Sequence, residues 1–255
     1  MILRRLTANL KAQNWTAITI EFLIVVLGVF IGTQVSNWNQ ERIEKRQTQR
    51  LLVELGPALK SFVDFFDTAK TYYATTRAYS DDAFAGWRND PKVSDKQFVI
   101  SAYQASQMYT FGINGSSWAT IFGSDRLRDI DDLQIRRGLA GLMANNYEQL
   151  EAPLATSYRQ QVRKVIPEDI QDAIRAQCGD RALQNLANAL VLPRTCNLNF
   201  PSGDFSAAAA ALRAHPELVG ELRWHRAVVA AYLSNIEPLE AQARDVLRRL
   251  PSPDA

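Results

Sequence analysis

One long apolar stretch near the start of the chain sets the organisation that the sequence predicts. It runs W-T-A-I-T-I-E-F-L-I-V-V-L-G-V-F-I-G-T-Q-V-S-N-W, from Trp15 to Trp38. As a helix it would measure about 35 Å at roughly 1.5 Å per residue, which is long enough to cross a bilayer. A tryptophan at each end suits the headgroup region, because the indole ring is amphipathic. We therefore predict a transmembrane anchor helix over residues 15–38.

Two other interpretations of this stretch are a buried helix of a soluble protein and a signal peptide. Its strictly apolar part, Phe22 to Gly32, is short enough for a core helix. Arg4, Arg5 and Lys11 resemble the basic start of a secretory signal. A cleavage site, however, needs two suitably spaced small residues, and the segment from Gly32 to Ser36 lacks that pair. The sequence therefore favours an uncleaved anchor.

A stripe of polar and small residues runs along the predicted anchor. Glu21, Val25, Gly28, Gly32 and Ser36 follow one another at steps of four, three, four and four. A carboxylate is costly in hydrocarbon, and glycines four residues apart allow a second helix to approach closely. The stripe thus predicts a helix-packing face that includes Glu21, Gly28 and Gly32. The alternative is that Glu21 marks the interfacial end of the helix and that the glycines are incidental.

Apolar residues after the anchor recur at helical spacing. The residues 39–51 are polar but contain no turn signal, so we expect the anchor helix to continue out of the membrane. We expect a kink at Gly56-Pro57 and an end near Gly86. Steps of three and four residues are typical of a helix that packs along its length in a bundle. The first row with this spacing, called here the α1 core row, comprises Leu52, Leu55, Leu59, Phe62, Phe66, Ala69 and Tyr73.

Capping signals predict the next helices. Ser94 and Gln97 have the spacing of a capping box and predict a helix that extends to Tyr109. A loop and a short helix are expected over residues 111–122. Asp131 or Asp132 should then cap a third long helix.

The C-terminal part of the chain continues the helical pattern. The third long helix should reach Val162, and Pro167 should begin a short helix that ends at Gly179. Residues 180–203 are expected to form a helical turn and a loop. The last helix should lie between Pro216 and Pro251. Its apolar row comprises Leu218, Leu222, His225, Val229, Tyr232, Ile236, Leu239, Ala243, Val246 and Leu250.

These patterns predict an all-α fold. One N-terminal transmembrane helix should continue into an elongated antiparallel bundle of three or four long helices over residues 39–250. Residues 1–14 form a basic segment, either amphipathic at the headgroups or disordered, and residues 251–255 form a tail. The chain has 29 basic and 27 acidic residues, and 26 of each remain after residue 38. Because nucleic-acid binding needs a basic face, we expect no nucleic-acid partner.

The segment from Ile20 to Arg42 carries a motif. It matches the pattern G-E, an apolar stretch, then G-I-x-I-A-x-Q-x-N-N-W-N-E, with Ile20 in place of the first glycine. The matching residues are Glu21, Gly28, Gln34, Asn37, Trp38 and Asn39. A later piece, Trp118 to Leu139, is similar to the pattern S-G-x-L-x-x-I-x-x-x-x-L-R-x-x-L. Both pieces resemble a family of uncharacterised bacterial single-pass membrane proteins, which implies a membrane location and no particular activity.

The two cysteines bear on the compartment of the domain. Cys178 and Cys196 are 18 residues apart. They can form a disulfide in an oxidising compartment, whereas in the cytoplasm they would be thiols. A short basic N-terminus usually stays inside the cell, although basic residues on the two sides of the anchor nearly balance. We expect an inner-membrane protein with a cytoplasmic N-terminus, a periplasmic domain and this disulfide.

The sequence contains no clear catalytic or metal-binding pattern. His225 lies in an apolar row, which favours a hydrogen-bonded core residue, and His215 is expected in a loop. Neither histidine has the short spacing to a second ligand that zinc sites use. The adjacent acids Asp81-Asp82 and Asp131-Asp132 suit a helix end and an N-cap. We expect no catalytic residue, no metal and no cofactor.

Three functions follow from this interpretation. The first is a membrane-anchored binding or scaffold protein whose partners are the lipid bilayer and a second copy or another membrane protein. The second is an extracytoplasmic ligand-sensing domain without its own output module, with a pocket lined by Tyr103, Tyr109 and Trp118. Core packing is the alternative for these aromatic residues. A membrane-tethered enzyme is the third, and no cluster of ionisable residues supports it.

Overall fold

The computed structural model describes residues 15–109, 124–183, 189–199 and 201–251. Eight α-helices contain most of these residues, and the all-α prediction is confirmed. They are α1 Trp15–Trp87, α2 Asp95–Gln104, α3 Leu133–Met143, α4 Tyr147–Glu151, α5 Ser157–Val165, α6 Glu168–Cys178, α7 Ser202–Arg213 and α8 Glu217–Arg249. Short 3₁₀ segments lie at Ser124–Asp129 and Ala152–Leu154. The strands β1 Arg181–Ala182 and β2 Leu190–Val191 pair in antiparallel orientation.

The chain divides into two units after Leu51. In the first unit, every large apolar side chain between Phe22 and Trp38 is exposed. The hydroxyl groups of Thr19 and Thr33 donate hydrogen bonds to backbone carbonyls of the same helix, so they need no solvent partner. By length and composition, α1 is the one helix of the described residues that could cross a membrane. This agrees with the predicted single anchor.

The second unit has a core built on the two longest helices. All seven residues of the α1 core row are buried, and so is the α8 row from Leu218 to Val246. Asp67 and Arg244 lie 2.6 Å apart, and Asp81 and Arg226 lie 2.5 Å apart. A higher residue number on α1 therefore pairs with a lower residue number on α8. The two helices are thus antiparallel, as predicted. The predicted third long helix is not present.

The segment between residues 133 and 165 is broken into α3, α4, a 3₁₀ segment and α5, where one long helix was expected. Two asparagines at the first break explain the difference. Asn145 donates a hydrogen bond to the carbonyl of Gly141, and the side chain of Asn146 accepts one from the amide of Gln149. Such side chains end one helix and begin another, because they compete with the backbone for hydrogen bonds. Pro153 then lies in the 3₁₀ segment.

The predicted start of α2 is correct and its predicted end is not. The Ser94 hydroxyl accepts a hydrogen bond from the amide of Gln97, although the Gln97 side chain donates to Asp82 and not back to Ser94. The helix ends at Gln104, before Tyr109. The backbone amide and carbonyl of Tyr109 both bond to the hydroxyl group of Tyr73, which replaces helical hydrogen bonding there.

Two other boundaries test the helical pattern. The helix α1 ends at Trp87, close to the predicted end at Gly86. A methyl group added at Gly86 would lie 2.1 Å from the ring of Phe98, so a larger residue would clash at this position. Residues 180–203 were expected to contain a helical turn and then a loop. Their described part contains the strand pair, the Cys196 segment and the beginning of α7, while residues 184–188 and 200 lie outside the described residues. The predictions for residues 1–14, 111–122 and 252–255 lie outside the described residues.

Candidate functional site

A cleft of about 220 Å³ lies in the second unit between α1 and α8. The residues of α1 that line it are Lys70, Tyr73, Ala74, Thr76, Arg77 and Ser80. The residues of α8 that line it are His225, Arg226, Val229, Ala230 and Leu233. Within each helix these positions are mostly three or four residues apart, so they share one face. The cleft therefore follows the edge of the contact between the two longest helices.

The charged residues in the lining are all cationic. Lys70 forms an ion pair with Glu240, which is 6% exposed, and Arg226 pairs with Asp81 outside the cleft at 2.5 Å. Among the described residues, the side chain of Arg77 makes no hydrogen bond or ion pair. Arg77 is also exposed. The cleft thus contains one guanidinium group that is available to a ligand.

His225 is a buried member of the lining of the same cleft. Its side chain is 2% exposed, and its Nδ1 atom lies 2.7 Å from the hydroxyl oxygen of Thr156. The other ring nitrogen, Nε2, is buried and has no hydrogen-bond partner among the described residues. Burial, and to a lesser extent Arg159, lowers the pKa of His225 to about 4. The imidazole is therefore neutral at pH 7, and it is a buried core residue as the sequence predicts.

The hydroxyl groups in the cleft are already bonded within the protein. Thr76 donates to the carbonyl of Tyr73 at 3.0 Å, and Ser80 donates to the carbonyl of Thr76 at 2.8 Å. The hydroxyl of Tyr73 donates to the carbonyl of Tyr109 at 3.0 Å. Among the polar groups of the lining, the guanidinium of Arg77 is therefore the one that is exposed and unbonded.

The aromatic residues proposed from the sequence as pocket residues lie elsewhere. Tyr103 and Tyr109 are both buried, at 0% and 1% exposure, and neither lines the cleft between α1 and α8. The ring of Tyr109 stacks on that of Phe65 with a centroid distance of 5.0 Å. Core packing, the alternative interpretation, therefore describes both residues. Trp118 lies outside the described residues.

Two arginines contact Tyr103, and a third, Arg159, interacts electrostatically with one of them, Arg163. The guanidinium carbon of Arg163 lies 4.6 Å from the centroid of the Tyr103 ring, and Arg175 donates a hydrogen bond to the Tyr103 hydroxyl at 3.3 Å. Arg159 donates to the carbonyl of Ser106 at 2.7 Å. Burial lowers the pKa of Arg163. Because all three groups bond within the protein, this cluster fastens the end of α2 to α5 and α6.

The two cysteines form a disulfide, the pairing that was expected for an oxidising compartment. Cys178, the last residue of α6, is joined to Cys196, and their Cα atoms are 5.4 Å apart. The side chain of Gln104 donates a hydrogen bond to the carbonyl of Cys178 at 2.7 Å. The disulfide therefore holds the segment after β2 against the end of α6, where α2 also ends.

The anchor stripe lies on an uncovered helix surface. A methyl group placed on Gly28 or Gly32 would meet no atom within 4 Å, and both residues are exposed. The Oε2 atom of Glu21 is buried and has no hydrogen-bond partner in the described part of the chain. Among the described residues, nothing packs against the two glycines at that distance.

The remaining ionisable residues have structural contacts. Asp82 accepts a hydrogen bond from Gln97 at 2.9 Å, and Asp132 caps α3 by accepting from the amides of Gln134 and Ile135. His215 lies 2.7 Å from Glu217 on the surface. In the described ranges, no three His, Cys, Asp or Glu residues are close enough together to hold a metal ion.

The sequence contained only a partial signal for the cleft. Its position follows from the two apolar rows, and His225 is the one residue inside either row whose type ordinarily titrates near neutral pH. Arg77 carries no such signal, because exposed arginines are common on helices. No family model matches the chain, and no curated protein or solved structure matches it either. The family resemblance therefore stays a prediction.

Proposed function

We propose that the chain is a membrane-anchored helical binding protein that presents its second unit for protein interaction. The observation that carries the proposal is α1 itself: residues 22–31 are apolar on all sides and exposed, whereas the part after Leu51 has a broad buried face that includes Phe65 and Tyr72 beside the α1 core row. A helix that is apolar all round needs an apolar environment, and the bilayer provides one. The lipid bilayer is thus the first partner.

The proposed location is the bacterial inner membrane, with the N-terminus in the cytoplasm and the second unit in the periplasm. Two features support this orientation. The Cys178–Cys196 disulfide suits an oxidising compartment. The residues before the anchor include Arg4, Arg5 and Lys11 and no acid, which favours a cytoplasmic N-terminus.

A membrane-impermeant thiol reagent tests this location in intact cells. For a periplasmic, disulfide-bonded domain, we expect labelling of Cys178 and Cys196 after reduction and none before it. A Cys178→Ser, Cys196→Ser double variant is the control for labelling of other proteins. Labelling that needs cell lysis but no reduction would contradict both the orientation and the disulfide.

A second copy of the chain or another membrane protein is the proposed partner of the anchor stripe. Small residues four positions apart permit close helix contact in a membrane. We expect Gly28→Leu to lower the fraction of cross-linked dimer in membranes. Val26→Leu, on the opposite side of the helix, is the matched control. Equal cross-linking of both variants and the wild type would show that the stripe is not a self-association face.

Ligand sensing is the second candidate function, and the cleft between α1 and α8 favours it. A buried polar atom without a partner is rare in folded proteins, and the Nε2 atom of His225 is such an atom. The residue His225 belongs to the lining of a cleft that also contains the available guanidinium of Arg77. In this second proposal, a partner protein receives the signal.

A further inference from the structure

The charged residues just after the anchor are sorted by sign around α1. Residues 39–50 contain four basic and two acidic residues. Successive residues of a helix are about 100° apart around its axis, so all four basic residues fall within an arc of about 140° and both acids lie outside it. Trp38 lies within the same arc. The four basic residues, called here the basic face, are Arg42, Lys45, Arg46 and Arg50.

Three residues of the basic face are arginines without an acidic partner. The guanidinium carbon of Arg42 lies 5.0 Å from the centroid of the Trp38 ring. In the described part of the chain, the side chains of Arg46 and Arg50 make no hydrogen bond or ion pair. All three arginines are exposed. Their hydrogen-bond donors are therefore available to another molecule.

The two acids of this segment are engaged by its other polar residues. Glu41 pairs with Lys45 at 3.3 Å, at the margin of the basic face. Glu44 accepts a hydrogen bond from the side chain of Gln40 at 2.9 Å. Neither acid contacts the three arginines, so the rest of the basic face keeps its positive charge.

The basic face begins where the anchor ends. Trp38 is 61% exposed, and an indole ring prefers the headgroup region of a bilayer. At about 1.5 Å per residue, Arg42 lies about 6 Å beyond Trp38 along the helix, Arg46 about 12 Å and Arg50 about 18 Å. The headgroup region of one leaflet is roughly 5–8 Å deep, and charges act over about 8 Å at physiological salt. Lipid phosphates are thus within reach of Arg42 and Arg46, and Arg50 is the most distant.

We propose that the basic face binds the headgroups of anionic phospholipids in the leaflet at the Trp38 end of the anchor. The proposal rests on the proposed membrane anchor and adds the class of lipid that surrounds it. A guanidinium group matches a phosphate through two parallel hydrogen bonds, and basic residues near an anionic leaflet are attracted to it. A zwitterionic headgroup also brings an ammonium group, which the same arginines repel. The adjacent anchor keeps lipid phosphates beside these arginines, which favours a lipid over a soluble anion.

Electron spin resonance with labelled lipids tests the proposal on the full-length protein. The protein is reconstituted into phosphatidylcholine vesicles that contain a trace of spin-labelled phosphatidylglycerol or of spin-labelled phosphatidylcholine. Lipid in contact with a membrane helix gives a motionally restricted spectrum, so the two probes compare anionic with zwitterionic lipid. We expect a preference for phosphatidylglycerol of about threefold or more at low salt. About 1 M NaCl should reduce it, because the screening length falls to about 3 Å.

Three double variants separate the basic face from charge in general. Arg42→Gln with Arg46→Gln should lower the preference by about twofold or more. Arg42→Lys with Arg46→Lys should keep most of it, because the charge remains. Arg77→Gln with Arg223→Gln is the matched control, since both are exposed arginines of the second unit that make no bond within the described residues. The basic residues before the anchor are unchanged in every variant, so any preference that they cause is common to all.

The outcomes are distinct. A preference for phosphatidylglycerol that the glutamine variant lowers and the lysine variant keeps supports the proposal. No preference in the wild type, a preference that the glutamine variant keeps, or an equal loss in the control variant would overturn it. A spectrum without restricted lipid of either kind would contradict the membrane anchor itself. A failure of the proposed anchor and a failure of the basic face can therefore be told apart.

Discussion

The two parts of α1 contain the same kinds of residue in opposite environments. Phe30 in the anchor is 58% exposed, whereas Phe66 in the α1 core row is 1% exposed. The difference follows from the pattern around each residue. Phe30 lies in a run that is apolar on all sides. Phe66 lies on a broad buried face, and exposed polar residues such as Lys60, Asp67 and Thr71 occupy the other side of the helix. Apolar content alone therefore does not identify a protein core, but its distribution around the helix does.

The polar groups of the two parts differ in the same way. In the anchor, Thr19 and Thr33 bond to carbonyl groups of their own helix. In the second part, Tyr79 donates to the carbonyl of Pro193 at 2.8 Å, and Trp87 donates to that of Leu212 at 3.0 Å. An anchor helix in lipid must satisfy its own polar groups, whereas a core helix can use those of its neighbours.

The largest expected effect compares the two phenylalanines directly. Phe66→Ala should lower the free energy of unfolding of the second unit by about 3–5 kcal/mol, because it removes a buried ring and leaves a cavity. Phe30→Ala should leave that free energy unchanged. The measurement is chemical denaturation of the full chain in detergent, followed by near-UV circular dichroism. Equal losses in the two variants would show that the anchor also contributes to the folded core.

Much of this contrast could be predicted from the sequence. The α1 core row and the α8 row through Val246 are buried as the spacing indicates. Caps at Ser94 and Asp132 were also identifiable, because Ser and Asp residues just before a helical apolar row commonly accept hydrogen bonds from the first backbone amides of the helix. These features depend on residues close together in the chain, so local patterns are sufficient to predict them.

Features that depend on tertiary contact were missed. The helix α2 ends early because the hydroxyl of Tyr73, 36 residues away, bonds to Tyr109. The α7 helix was also missed, since its run of alanines has a weak apolar pattern. The same limit applies to the cleft. Arg77 and His225 line one cleft because α1 and α8 pack in antiparallel orientation, and no spacing within either helix reveals that they share it.

The second prediction breaks the apolar character of the anchor. Leu27 lies within the exposed apolar run. Leu27→Arg should make membrane insertion less favourable by about 3 kcal/mol if the residue lies near the centre of the bilayer. Carbonate extraction of membranes should then release a larger fraction of the chain, while Leu27→Ala should stay in the pellet. Full retention of Leu27→Arg would contradict a membrane-spanning role for this segment.

The third prediction concerns pH and is confined to the second unit. Burial lowers the pKa of His225 from 6.5 to about 4, so the unfolded chain binds a proton more readily than the folded one. This contribution to stability is fully present above about pH 6.5 and declines as the pH falls toward about 4. At about pH 5, the loss attributable to His225 should be roughly 2 kcal/mol.

Denaturant titrations at several pH values measure this effect. His225→Gln removes the titrating group, so its stability should decline less between about pH 6.5 and about pH 5 than that of the wild type. His215→Gln, at an exposed histidine, should follow the wild-type curve. Parallel curves for the wild type and His225→Gln would contradict a neutral, buried imidazole. Membrane attachment should not follow this curve, because it depends on apolar area.

The smallest expected effect concerns a local bond at the surface of the second unit. The sequence allowed either Asp131 or Asp132 to cap α3, and the structure shows that Asp132 accepts hydrogen bonds from two backbone amides at 2.7 and 3.1 Å. Asp132→Ala should lower the free energy of unfolding by about 1 kcal/mol, since two amides at the helix start lose their acceptor. Asp131→Ala should change it little, because that side chain is exposed. An equal loss in both variants would point to general charge near the helix start, which salt would screen, instead of a specific cap.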